Sequence, residues 1–136
     1  MPPVNVTYDD RIAWLSRRNY TSNRPFCRIK VHRDTGPGAI DLWGLLDTGA
    51  DYLMLDKAVA HRLKIDLNNC RMIPVTLASG MSVSMPLKTV NVTIRGKRVQ
   101  VDAIFGITGT TLIGRTAILA AIDFGIDIDG WLYRVI

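Results

Sequence analysis

Cysteine, long apolar runs and stacking aromatic residues are all scarce in this chain of 136 residues. Cys27 and Cys70 lie far apart and lack the spacing of metal ligands, so the sequence predicts free thiols rather than a disulfide framework or a zinc site. No apolar stretch reaches the ~20 residues that a membrane-spanning helix needs. We therefore expect a protein without a membrane segment, a resident metal or a cofactor.

The N-terminal segment lacks the unbroken apolar centre of a secretory signal, because Asp9, Asp10 and Arg11 interrupt it. We accordingly expect the protein in the cytoplasm. Residues 1–23 are polar and follow neither a helical nor a strand period. We predict that they form an N-terminal extension to a single domain of residues 24–136.

Basic residues exceed acidic ones by a small margin, with 17 Lys and Arg against 12 Asp and Glu and a formal net charge of +5. Such an excess can attract nucleic acid or another acidic partner. The cations are dispersed along the chain, however, and no stacking aromatic set or nucleic-acid-binding motif accompanies them. We do not expect nucleic acid as a partner.

From Arg24 onward, short apolar and alternating segments are separated by Gly, Asp and Ser turn signals, which is typical of an all-β domain. A hairpin whose tip contains Ser and Gly can bend over a cleft. The predicted strands are residues 26–33, 39–46, 72–78, 83–93, 98–105 and 110–114, followed by a terminal hairpin that turns at Asp129-Gly130.

Two short helices are expected between the strands. Asp56 can cap a helix over 57–63, in which Val59 and Leu63 lie one turn apart. A second helix is predicted over 115–121. The apolar tail, residues 131–136, would form an exposed edge strand unless the sheet continues in another molecule, and this pattern favours dimerisation.

The segment Leu45-Leu46-Asp47-Thr48-Gly49-Ala50-Asp51 places a carboxylate on a tight loop directly after a predicted buried strand. The Thr48 hydroxyl can tie loops together, and Gly49 lets backbone and substrate approach closely. Two adjacent carboxylates that share one proton can act as base and acid in cleaving a peptide bond with water. Asp34-Thr35-Gly36 repeats three of these residues but continues into Pro37-Gly38, which predicts a simple turn. The segment at 45–51 therefore occurs once, and a second copy of the chain would supply the other aspartate.

Together with Leu112-Ile113-Gly114-Arg115, this segment resembles the retropepsin-like aspartic proteases. The resemblance covers about residues 24–124, and the N-terminal segment, the helix after the loop and the tail are closer to bacterial members than to viral ones. It implies an all-β, closed barrel that acts as a homodimer on polypeptide substrates without a metal or cofactor. Asp47 would be the catalytic residue of each subunit.

The resemblance also implies roles for other residues. Thr48, Gly49, Leu112, Ile113 and Gly114 would support the active-site loop. Residues 78–82 would form a flap over the substrate. An ion cluster of Asp51, Arg115 and Arg24 of the second subunit would lock the dimer. The residues expected to contact substrate are Ala50, Asp51, Ala78, Ser79, Gly80 and Met81.

Two alternatives stay open. Asp47 could be a turn aspartate whose side chain caps its own loop. The chain could also be a catalytically silent module that keeps the retropepsin fold for dimerisation or peptide binding. Only the enzyme would produce new termini in a pool of denatured proteins.

Overall fold

The chain consists mainly of short strands that run between turns, as the sequence predicts. The computed structural model describes residues 13–15, 24–47, 49–77, 79–94, 96–107, 109, 111–117, 124–126 and 132–134. The strands are β1 Ala13–Leu15, β2 Arg24–His32, β3 Ala39–Leu46, β4 Leu53–Asp56, β5 Arg71–Thr76, β6 Ser82–Ile94, β7 Lys97–Gly106, β8 Thr111–Ile113, β9 Phe124–Ile126 and β10 Leu132–Arg134. The helices are α1 Lys57–Leu63 and α2, residues 115–117.

Six strands close into a barrel. The strand order of the large sheet is β1-β2-β3-β8-β4-β7-β6-β5, and an additional pairing of β2 with β6 joins its two sides. In this closing pair, Ile29 lies opposite Ile94 and Val31 opposite Val92. Strands β1 and β5 extend the sheet beyond the closed part. The predicted all-β, closed-barrel fold is thus confirmed.

Alternating side chains fill the barrel. On β2 the even-numbered Arg28 and Lys30 are exposed, whereas Ile29 and Val31 between them are fully buried. Successive side chains of a strand point to opposite faces, so the same period places one apolar set inward on every barrel strand. Each buried aliphatic side chain stabilises the fold by about 1.5–3 kcal/mol relative to exposure. The core includes Cys27, Leu53, Leu55, Val90, Val92, Val101, Ala103, Phe105 and Ile113.

Helix α1 begins and ends as its sequence predicts. The Asp56 side chain accepts a hydrogen bond from the backbone N–H of Ala58 at 2.8 Å and so caps the first turn. The helix ends at Leu63, and Lys64 follows as a C-cap in the left-handed region (φ 54°). The N–H of Lys64 donates to the carbonyl oxygen of His61 at 3.2 Å, and the N–H of Ile65 donates to that of Ala60 at 2.9 Å. Val59, Ala60 and Leu63 pack into the core cluster, which ties the helix to the barrel.

A crossing of strands places the loop that carries Asp47. Strand β8 lies between β3 and β4, parallel to β3 with Leu46 opposite Ile113, and antiparallel to β4 with Met54 opposite Leu112. The connection from β3 to β4 therefore passes over the end of β8. This packing requires a glycine in β3, because a Cβ atom at Gly44 would lie 2.6 Å from Cγ1 of Ile113.

Most predicted strands agree with the structure to within about two residues at each end. One strand was not predicted: residues 53–56 form β4, which pairs in parallel with β7. Strand β1 lies inside the predicted N-terminal extension and pairs with β2. The division at residue 23 stays a prediction.

Two further expectations fall partly outside the described residues. Residues 115–117 of the second predicted helix are helical, and 118–121 are not described. In the tail, β9 and β10 pair as a separate two-stranded sheet, while Trp131 and residues 135–136 lie outside the description. Among the helices described, none is long and apolar enough to cross a bilayer.

Candidate active site

Hydrogen bonds on both sides hold Asp47 at the end of β3. Its backbone N–H donates to the carbonyl oxygen of Ile113 at 3.0 Å, and its own carbonyl oxygen accepts from Ala50 at 3.2 Å. The carboxylate oxygen Oδ1 accepts from the N–H of Gly49 at 3.0 Å. The half-buried side chain is thereby fixed at a strand end, with Oδ2 accepting no hydrogen bond from another described residue.

The contact with Gly49 bears on the two interpretations of Asp47. A carboxylate that accepts from the backbone two residues ahead is the local bond of a turn aspartate. The same bond uses one oxygen only and orients the other, so it is compatible with a carboxylate poised for chemistry. Thr48, whose hydroxyl was predicted to tie the loops together, lies outside the described residues.

The segment after β8 supports the far side of the loop. Arg115 donates its backbone N–H to Ala50 at 2.9 Å, and Thr116 donates to the Asp51 carbonyl oxygen at 3.1 Å. Gly114, directly before these two residues, packs on the backbone of Tyr52. The structure therefore brings Ile113, Gly114 and the Asp47 loop together, in the arrangement that the resemblance implies.

Asp51 and Arg115 form an ion pair within the chain, between Asp51 Oδ1 and Arg115 Nη2. Both side chains are more than half exposed, so the pair alone contributes ~1 kcal/mol or less to folding. The side chain of Arg24, the third member of the predicted cluster, is not described. The role of the cluster in a dimer stays a prediction.

Strands β5 and β6 form the hairpin that the sequence predicts. Thr76 lies opposite Ser82, and the Leu77 N–H donates to the carbonyl oxygen of Met81 at 2.9 Å across the turn. Gly80 has a φ of +86°, which favours glycine at that point of the turn. Met81 is 63% exposed at the tip.

A cavity of about 830 Å³ lies between the Asp47 loop and β5. The loop contributes one wall of the cavity, and β5 contributes the opposite wall. Leu112, which was predicted to support the active-site loop, also lines the cavity. Of the predicted contact residues, Ala50 and Asp51 line the cavity, Ser79, Gly80 and Met81 do not, and Ala78 is not described. The lining residues are Asp47, Gly49, Ala50, Asp51, Tyr52, Met54, Arg71, Ile73, Pro74, Val75, Thr76, Leu77, Ile104 and Leu112.

Several of these wall residues were absent from the sequence-based site. Arg71, Ile73 and Val75 follow the period of two along β5, a local pattern that predicts a shared face. Met54 and Ile104 reach the cavity through the pairing of β4 with β7, which no local pattern specifies. An apolar stripe in the predicted hairpin groups Ile73 with Val75 on one face of the strand, but it indicates neither that this face lies opposite Asp47 nor that Arg71 belongs to the cavity.

Comparison with known proteins decides the family. Residues 35–117, more than half of the chain, match the family model described as aspartyl protease. This chain belongs to the aspartyl protease family. No curated protein matches the sequence significantly.

Solved structures show that the fold of this family member is retropepsin-like. A retropepsin-like aspartic protease from Rickettsia conorii is similar with a TM-score of 0.62 and 21% identity, over 91% of this chain and 86% of that one. EIAV protease, solved in complex with the inhibitor HBY-793, is similar with a TM-score of 0.52 and 25% identity, over 74% of this chain and 88% of that one. The resemblance noted from the sequence is confirmed.

Proposed function

We propose that two copies of this aspartyl protease form one endopeptidase site, in which the Asp47 carboxylates of both subunits activate a single water molecule. The observation that carries the proposal is the placement of Asp47. Its carboxylate lies on the wall of a cavity of about 830 Å³, on a loop held by β8. The family and the fold support proteolysis as the activity.

The proposed chemistry needs two carboxylates in different protonation states. Repulsion between neighbouring carboxylates separates their titration steps, so one is ionised while the other keeps its proton, as is general for aspartic proteases. The ionised Asp47 takes a proton from the water molecule, and the water oxygen attacks the peptide carbonyl carbon. The protonated Asp47 of the other subunit donates its proton to the carbonyl oxygen. The C–N bond then breaks as the leaving nitrogen is protonated.

One subunit offers half of this arrangement. The other carboxylate on the cavity wall, Asp51, is held in the ion pair with Arg115 and faces a different partner. The chain carries Asp-Thr-Gly twice, at 34–36 and at 47–49. The first copy lies in the turn between β2 and β3, where Asp34 forms an ion pair with Lys88 and does not line the cavity. Asp47 is therefore the one Asp-Thr-Gly carboxylate that each copy brings to the site. A twofold axis close to Asp47 would bring the second carboxylate to the first, which makes the homodimer part of the same proposal.

The substrate would bind as an extended strand. Strand β5 ends the sheet order and pairs only with β6 among the described strands, so its other edge is available to a peptide backbone. Ile73, Val75 and Leu77 line the cavity beside this edge. They would accept apolar side chains on either side of the cleaved bond.

The test compares Asp47→Asn with Asp41→Asn, which changes an exposed aspartate of β3, the strand before the Asp47 loop, outside the cavity. The purified proteins are incubated with a pool of denatured proteins at pH 4 to 7, and new N-termini are counted by mass spectrometry. We expect Asp47→Asn to lose activity by ~10²-fold or more while circular dichroism shows an unchanged fold, and Asp41→Asn to remain active. Equal activity of both variants would refute the role of Asp47.

The same experiment addresses the silent module. A binding module without chemistry would leave the pool intact with the wild-type chain as well as with Asp47→Asn. We expect the wild-type chain alone, and its Asp41→Asn control, to produce termini.

A further inference from the structure

We propose that Arg71 makes this protease selective for polypeptides that carry an Asp or Glu side chain at one position on each side of the cleaved bond. These positions lie away from the apolar residues that fill the pockets beside Ile73 and Val75. This inference rests on the proposed function, because it names the substrate class of the same site.

The charges of the cavity wall single out Arg71. Among the lining residues, the ionisable carboxylates and guanidinium belong to Asp47, Asp51 and Arg71. Asp47 is assigned to the reaction, and Asp51 already pairs with Arg115. Arg71 makes no hydrogen bond or ion pair with another described residue. It is therefore a cation of the groove whose partner is not in the described part of the chain.

Arg71 lines the cavity at the first position of β5, on the same strand face as Ile73 and Val75. Ile73 is buried and Val75 is half-buried, whereas Arg71 is exposed at the end of this row, and Pro74 and Thr76 of the alternate positions also line the cavity. Across the hairpin, Arg71 lies opposite Leu87, which offers no counter-charge. At ~3.3 Å per residue, Arg71 is about 13 Å from Val75 along the strand. The apolar wall thus ends in a cation.

A bound peptide would meet this cation at a defined position. A peptide paired with the edge of β5 advances by the same rise per residue, so one of its side chains falls opposite Arg71. A guanidinium group binds a carboxylate through two parallel hydrogen bonds. A Gln or Lys side chain of the peptide, placed opposite Arg71, cannot form this pair. In a symmetric dimer the two Arg71 residues would select acidic side chains on both sides of the cleaved bond.

A rival explanation is that Arg71 packs on the cavity wall and does not select the side chains of the substrate. The aliphatic part of an arginine can cover an apolar wall while its head stays in water. Substitution by methionine separates the two possibilities, because it keeps an unbranched apolar side chain and removes the charge.

The test uses peptides that differ at a single position, occupied by Glu, Gln or Lys, with that position moved step by step along the strand. We expect kcat/KM of the wild-type enzyme to favour Glu over Gln by roughly two- to tenfold at one position on each side, with a larger margin over Lys. Arg71→Met should abolish the preference, and Arg71→Glu should favour Lys at the same position. The control, Arg98→Glu, reverses an exposed charge outside the cavity and should keep the wild-type preference.

The outcomes separate this inference from the proposed function. Cleavage of the Glu, Gln and Lys peptides at equal rates would overturn the role of Arg71 and leave the protease assignment intact. If no peptide is cleaved, fluorescence anisotropy with the Asp47→Asn variant still compares the binding of Glu and Gln peptides. Equal binding would overturn the inference, and tighter binding of the Glu peptide that is lost in Arg71→Met would support it.

Discussion

Gly114 lies against the carbonyl oxygen of Tyr52 so closely that a Cβ atom at position 114 would overlap with it. The same Cβ atom would be 2.8 Å from the carbonyl oxygen of Ala50. Both obstacles are backbone atoms of the loop that follows Asp47, so neither can rotate away as a side chain would. The end of β8 and the Asp47 loop are therefore packed against each other. The position of the Asp47 carboxylate depends on residue 114 being a glycine, which has no Cβ atom.

Gly114→Ala should displace this loop. We expect the free energy of unfolding to fall by about 1–3 kcal/mol and the activity to fall with it, because the added methyl group pushes on the backbone that carries Asp47. Urea unfolding and kcat/KM on one peptide measure the two effects. Ser84→Thr, which adds a methyl group at an exposed position of β6, serves as the control. Wild-type stability and activity in Gly114→Ala would contradict the packing described here.

Asp56 should stabilise the fold through two backbone groups. One carboxylate oxygen accepts from Ala58 at the start of α1, and the other accepts from Gly109 at 3.0 Å in the segment before β8. We expect Asp56→Ala to reduce the free energy of unfolding by about 0.5–2 kcal/mol. Asp56→Asn should lose less, because its amide oxygen can still accept from Ala58 while its nitrogen cannot accept from Gly109. Equal urea midpoints for all three proteins would show that neither bond matters.

His32 gives the fold a pH dependence of known sign. Burial disfavours the charged imidazolium, and the Arg98 and Lys30 cations repel it, so the pKa of His32 lies below its ordinary value of 6.5. The unfolded chain then binds more protons between the two pKa values. The contribution of neutral His32 to the free energy of unfolding is therefore present above about pH 6.5, and it is lost as the pH falls through the pKa of His32 in the folded state.

Arg98→Gln should raise the pKa of His32 toward 6.5, because it removes one of the repelling cations. An NMR titration of the His32 ring measures this directly. Arg62→Gln, which removes an exposed cation of α1, should leave that titration curve in place. A curve unmoved by Arg98→Gln, or moved to lower pH, would contradict the assigned cause.

The tail should contribute to association of two copies. Strands β9 and β10 pair with each other and stand apart from the eight-stranded sheet. We expect deletion of residues 131–136 to raise the Kd of the proposed dimer, because β9 loses its partner strand and any intermolecular pairing built on it. Sedimentation velocity over a range of concentrations measures the change. An unaltered Kd would remove the tail from the interface.

Local patterns predicted the parts of this fold whose causes are local. The cap at Asp56, the limits of α1 and the extent of β3 each follow from propensity, period and turn residues within a few positions. Strand β4 was missed because its three apolar residues, which end at the charged Asp56, are too few to separate a strand from a helix turn. Its strand character comes from pairing with β7 and β8, which are distant in sequence.

At the candidate site, too, the features with local causes could be predicted from the sequence, and those that depend on distant parts of the chain could not. Asp47 stood out as a carboxylate on a tight loop directly after a predicted strand, and Gly114 stood out through the resemblance of residues 112–115 to the retropepsin-like proteases. The apolar wall opposite them could not be assigned from sequence, since it depends on how the β5–β6 hairpin lies over the barrel. Arg71 was missed for this reason: an isolated basic residue has meaning only once the cavity around it is known.

The most direct test of the shared site mixes two kinds of subunit. A fixed amount of wild-type protein is combined with an equal amount of Asp47→Asn, and peptide cleavage is followed after subunit exchange. A site that needs one Asp47 from each copy predicts activity of about half that of wild type alone, falling further with excess variant, because random pairing places half of the wild-type subunits with an inactive partner. Activity that stays unchanged in ~tenfold excess of Asp47→Asn, while exchange is shown to occur, would contradict the account.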